Sequence, residues 1–190
     1  MRPFEFIILL FSFIYTLGLT HLLFAATRMI RHRSIVVFSW PHALWMAAAL
    51  FLMAGNWISL WDFHTLQTIS LTTIAGGFGL VIMEYVVCAL VAPELETNDD
   101  FDLRAFHERE GRTYIGAFLI IIFFSFIINA AAGASLGIQN WANQNWIVLA
   151  MLPAAVVPLL TRNRVVQVLA PLLMLAIQIS YPIIYYPVLK

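Results

Sequence analysis

The sequence predicts an all-α integral membrane protein: a bundle of six transmembrane helices with both termini on the non-cytoplasmic side. Three observations carry that expectation. The 190 residues are 62% hydrophobic and 11% charged, with a mean hydropathy of +0.89, whereas soluble domains average about 45–50% apolar and about 25% charged. Apolar runs close to the roughly 20 residues a spanning helix requires recur along the whole chain. Basic residues concentrate in alternate loops, as the positive-inside rule demands.

The elements follow in order. The opening MRPFEFIILLFSFIYTLGLTHLLFAATRM is too long for a signal-peptide core and lacks a clear small-residue cleavage site. It reads as a retained first span over about 4–28. A second span covers about 36–61 and a third about 66–92, where Pro93 closes it. The one long polar stretch, PELETNDDFDLRAFHEREGR, forms a cytoplasmic connector over about 93–112. Within it Asn98, Asp99 or Asp100 would cap a short helix whose Leu103 and Phe106 press on the membrane surface. It reads first as a solvated charged connector, with Arg104, Arg109 and Arg112 as the docking residues should it engage a partner. The fourth span is expected over about 113–137, the short fifth over about 144–161 and the sixth over about 164–187. Pro153 and Pro158 predict a kink or partial unwinding of the fifth, since proline removes a backbone donor. Residues 1–190 form a single transmembrane domain.

Arg28, Arg31 and Arg33 lie in the first loop, Arg104, Arg109 and Arg112 in the third, Arg162 and Arg164 in the fifth; only Arg2 and Lys190 lie on the other side. That asymmetry places both termini away from the cytoplasm. Trp57, Trp61, Trp141, Trp146, Tyr185 and Tyr186 fall near the expected outer ends, where amphipathic rings favour the interface. The formal charge is zero, so no bulk field argues for nucleic acid. A lone cysteine, Cys88, excludes an internal disulfide or a thiolate cluster.

Polar and small residues recur at helical spacing within the spans: Gly18 and His21; His42, Ala49 and Asn56; Gly77, Glu84 and Cys88; Ser125 and Asn129; Gln167, Pro171 and Gln178. Steps of three, four and seven place each set on one face. Helix packing accounts for the small residues. It does not account for Glu84, a carboxyl about 12 Å inside its span at 1.5 Å per residue, where an ionised group costs several kcal/mol unless paired or hydrated. Counted from the turns, His21, His42 and Glu84 share one level in the cytoplasmic half, which makes them the candidate ion or proton site. Asn56, Asn129 and Gln178 are the candidate polar lining of the outer half.

No HxxxH or ExxH spacing and no soluble catalytic signature occurs, so neither a metal site nor an enzyme is expected. His21 and His42 could instead ligate a haem b axially, with Arg28 or Arg31 near its propionates, though the short turn between them leaves little room for a porphyrin. His32, His64 and His107 read as solvated. The TH pair of the first span, WPHALW opening the second and DLRAFHER before the fourth resemble those of an uncharacterised group of small bacterial multi-span proteins. That resemblance implies an inner-membrane setting and no activity. The expected function is a proton- or cation-linked channel or small transporter, whose two three-span halves have opposite orientations. A non-catalytic subunit of a larger membrane complex and a haem-binding redox protein are the alternatives. The expected partners are the lipid bilayer and either a second copy of the chain or another membrane protein.

Overall fold

The computed structural model describes residues 3–64, 69–94, 101–133 and 138–187. The chain is helical almost throughout: α1 (Pro3–Arg31), α2 (Trp40–Ser59), α3 (Leu71–Val91), α4 (Leu103–Gly133), α5 (Ile138–Leu160) and α6 (Arg164–Tyr185). Among the described residues five of these helices are long and apolar enough to cross a membrane, and the apolar described part of α5, Asn145–Leu160, is shorter. The protein is membrane-embedded. The loops joining α1 to α2, α3 to α4 and α5 to α6 mark one end of the bundle, the basic end.

The element boundaries have local causes. Pro41 sits in the first turn of α2, with Ser39 extended before it. Proline suits the first turn, where its missing N–H would have no helical partner. The helix therefore starts at Trp40, and Val36–Val37, expected inside the second span, instead form a two-residue strand β1. This pairs in parallel with β2, Phe101–Asp102, and the Phe101 amide donates to the Ile35 carbonyl at 3.0 Å. Ser70 caps α3 by accepting from the Thr73 amide at 3.1 Å.

Asp102 caps α4, its Oδ1 accepting from the amides of Arg104 at 2.7 Å and Ala105 at 3.1 Å. The candidate caps Asn98, Asp99 and Asp100 lie outside the described residues, as do Arg2, Lys190 and the Trp141 side chain. The connector helix is thus not a separate surface element. It is the first part of α4, continuous with the fourth span, and Leu103 is buried inside the bundle rather than laid on the membrane surface. Of the kink or partial unwinding expected in the fifth segment, the unwinding does not occur: α5 stays helical through Pro153 and Pro158.

α2 is the most enclosed span. It packs most extensively on α6 and also meets α1, α3 and α4, while α1–α3, α3–α4, α4–α5 and α5–α6 pair around it. Glycines permit the close approaches: a Cβ on Gly18 would lie 2.8 Å from Met53 Cε, and one on Gly77 would lie 3.0 Å from Phe11 Cε2. In lipid such contacts supply much of the association energy, because no hydrophobic force separates helices from their solvent. Gly18→Leu should accordingly cost about 1–3 kcal/mol by overpacking. Gly116→Ala should be neutral to stabilising, by up to about 1 kcal/mol from helix propensity, since nothing lies within 4 Å of a Cβ there. Thermal unfolding of the two variants in detergent checks the difference.

At the end opposite the basic loops, aromatic side chains join the helix termini. Trp146 Nε1 donates to the Tyr185 hydroxyl at 2.8 Å, and Trp61 packs edge-to-face with Phe4.

Candidate functional site

Two polar clusters lie inside the bundle, joined to opposite ends of α2. Towards the aromatic end, the Asn56 amide of α2 donates to Glu84 Oε1 of α3. The Tyr15 hydroxyl of α1 bonds the same carboxyl. Glu84 is 0% exposed, and its Oε2 has no partner among the described residues. The carboxyl therefore sits at a three-helix junction with two neutral donors, and it makes no ion pair among the described residues. One turn along α3, the Cys88 thiol lies 3.0 Å from Met53 Sδ.

Towards the basic end the cluster is built on α4. His107 Nε2 meets Gln167 Oε1 of α6 at 3.1 Å. The Gln167 amide nitrogen is already committed, donating to the carbonyls of Pro158 at 2.8 Å and Thr161 at 2.7 Å. Its oxygen can only accept, so His107 Nε2 carries the proton. In the neutral ring Nδ1 is then the acceptor, and the Tyr114 hydroxyl donates to it. This network ties α4 to α6 and secures the α5–α6 turn. His42 packs edge-on against Phe106 at 5.1 Å and Tyr114 at 5.9 Å between centroids. It is 0% exposed, and neither ring nitrogen has a partner among the described residues.

The structure therefore separates the three residues that counting from the turns had grouped. Asn56, which holds Glu84, lies 14 residues beyond His42 on α2, about 21 Å along the axis. His42 and Glu84 belong to different clusters. His21 is half-exposed and bonds neither of them among the described residues. Gly18 abuts Met53, so His21 lies at a level of α2 about 12 Å from His42, and the two imidazoles do not form an opposed pair. Asn56, Asn129 and Gln178 likewise do not line one vestibule: Asn129 is exposed on α4, Asn56 serves Glu84, and Gln178 is buried on α6. Arg104, Arg109 and Arg112 are exposed, and Arg109 pairs with its neighbour Glu110 at 2.9 Å.

Tyr15, His107 and Tyr114 enter the site without having been singled out in the sequence. His107, expected in solvent, is 9% exposed. The signal was present, since Leu103, His107, Tyr114, Phe118 and Ile121 follow steps of three, four and seven on one helical face. The charges between them masked it.

Several of the buried polar atoms that have no hydrogen-bond partner among the described residues lie on or against α2: both nitrogens of His42, the indole nitrogen of Trp45, both amide atoms of Gln178 and Oε2 of Glu84. Gly55 abuts Tyr181, and α2 and α6 both start at the basic end, so Gln178 lies one turn below that contact, near Leu52. No family model, curated protein or solved structure matches the chain.

Proposed function

We propose that this protein moves protons across its membrane along α2, with Glu84 as the titratable group that each proton must occupy. The observation that carries the reading is the row of buried polar atoms with no partner among the described residues: both ring nitrogens of His42, the Trp45 indole nitrogen, the Gln178 amide and Oε2 of Glu84. Each such group in lipid costs free energy of several kcal/mol unless it is hydrated or protonated, so the row supports a path that water can enter. Counted along α2, the steps are about 4.5 Å, 10 Å and 6 Å; the longest needs a chain of about three waters at ordinary hydrogen-bond spacing. Trp45 is a donor only and orients water rather than relaying protons. His42, Gln178 and the carboxyl both donate and accept.

A proton suits the Glu84 junction better than a metal cation does. Its hydrogen-bond partners are an amide and a phenol, and no second carboxyl or imidazole groups with it among the described residues. A bare divalent ion would demand more oxygen ligands or charge. The assay is proton flux into liposomes carrying the purified protein, with Glu84→Gln as the decisive variant.

The basic loops support a placement of that end in the cytoplasm, and a bacterial inner membrane is the proposed setting. In a Cys88→Ala background, Arg104→Cys should then react with an impermeant maleimide only after cells are opened. Leu71→Cys, at the other end and exposed, should react in intact cells. The reverse pattern would invert the orientation.

A further inference from the structure

The geometry points to a binding site for an anionic membrane lipid in the cleft between α1 and α2 at the basic end, with an acyl chain in the cleft and the acidic headgroup at Arg33. The cleft has a volume of about 470 Å³, within the roughly 300–1,000 Å³ usual for small-molecule sites. Its walls include Leu22 and Ala26 of α1 and Met46 and Leu50 of α2, and among the described residues that line it the polar side chains are His42 and Arg33.

Those two polar groups sit together at one end. His42 is in the first turn of α2, and Arg33 is in the turn just past α1. Leu22 and Leu50 mark the opposite, apolar end, about 12 Å further along α2. The cleft therefore has the polarity of an amphipath with a compact head and a long tail. His42 is fully buried, lines the cleft and has both ring nitrogens unpartnered among the described residues, so it can donate to a headgroup or ester oxygen. Leu23, Ile30 and Phe38 also line the cleft and are exposed, which gives a tail a lateral entry from the bilayer. Arg33 is exposed and makes no ion pair among the described residues. Its charge selects an anionic head over a zwitterionic one, since a basic residue at the surface favours acidic lipid by about fivefold. The site shares His42 with the proposed proton path, but lipid binding there does not depend on proton movement.

The test uses the purified full chain in vesicles containing trace phosphatidylglycerol or phosphatidylcholine with a photoreactive diazirine near the acyl terminus, and maps adducts by mass spectrometry. Phosphatidylglycerol should label residues 22–30 and 43–50 about fivefold more than phosphatidylcholine. Arg33→Gln, a change outside the packed helices, should remove that preference. Ala47→Phe, which places a ring in the cleft, should remove labelling of these segments by both lipids while leaving other lipid-facing labels unchanged. Excess glycerol phosphate, a headgroup without a tail, should not compete. Equal labelling by the two lipids, adducts spread evenly over all helices, persistence in Ala47→Phe or competition by glycerol phosphate would each overturn the assignment.

Discussion

Glu84→Gln should reduce proton flux into liposomes to the level of protein-free vesicles while leaving the protein at least as stable as the wild type. Glutamine keeps the length and shape of the side chain. Its carbonyl oxygen can accept from the Asn56 amide as Oε1 does, and the Tyr15 hydroxyl retains an acceptor. What it lacks is an ionisable proton. In the apolar interior of a bundle, an ionised carboxyl costs several kcal/mol, and a neutral amide avoids that cost, so the direction for stability is neutral to favourable. Loss of flux with unchanged or raised thermal stability separates a functional carboxyl from a structural one. A variant that conducts normally would remove Glu84 from the path, and with it the proposed function. Tyr15→Phe is the accompanying control. It deletes one hydrogen bond to the carboxyl but not the proton site, so flux should fall without vanishing.

Trp45→Ala should give the largest loss of stability of any single truncation in the bundle, about 3–5 kcal/mol. The indole is completely buried, with ring centroids 5.0 Å from Phe118 and 6.3 Å from Tyr114, so it wedges the enclosed helix α2 against α4. Truncation would leave a cavity whose lining atoms lose their dispersion partners, a loss that lipid outside the bundle cannot restore. An apparent Tm lowered by on the order of 10 °C in detergent is the expected readout. Trp45→Phe should recover much of the loss by refilling the aromatic wall. Trp40→Ala, five residues earlier and largely exposed, should stay within about 0.5 kcal/mol. Equal effects at the two tryptophans would mean that α2 is not held through its aromatic face.

Spans were legible because they are a property of local composition: an apolar run of about 20 residues in lipid has no option but to satisfy its backbone internally. The boundaries failed where local composition competed with something else. Val36 and Val37 read as apolar helix, yet the proline at 41 delays α2 and leaves them free to pair with Phe101 and Asp102. The charges of residues 104–112 read as a solvated connector, yet one face of that segment carries Leu103, His107 and Tyr114 into the bundle. Pro153 and Pro158 remove two donors from α5, but the helix runs on through both.

The exceptional residues were legible as well. A glutamate within an apolar span, histidines in apolar runs and glycines at helical spacing are properties of one strand of text, and each proved to be buried or closely packed except His21. Which of them meet was not. Counting from the turns assumes that every helix starts at the same depth, and here α3 does not match α2: Glu84 lies seven residues before the end of α3, yet its partner Asn56 lies sixteen residues beyond the start of α2. The relative depth of two helices is decided by which side chains interlock, Gly18 against Met53 and Gly55 against Tyr181, because in lipid packing and interhelical hydrogen bonds hold helices together. The sequence by itself determined that this chain must live in a membrane as helices, and that Glu84 needed company there. Only the tertiary structure decided that the company is Asn56 and Tyr15 rather than His42, since the axial register of packed helices depends on contacts between distant segments.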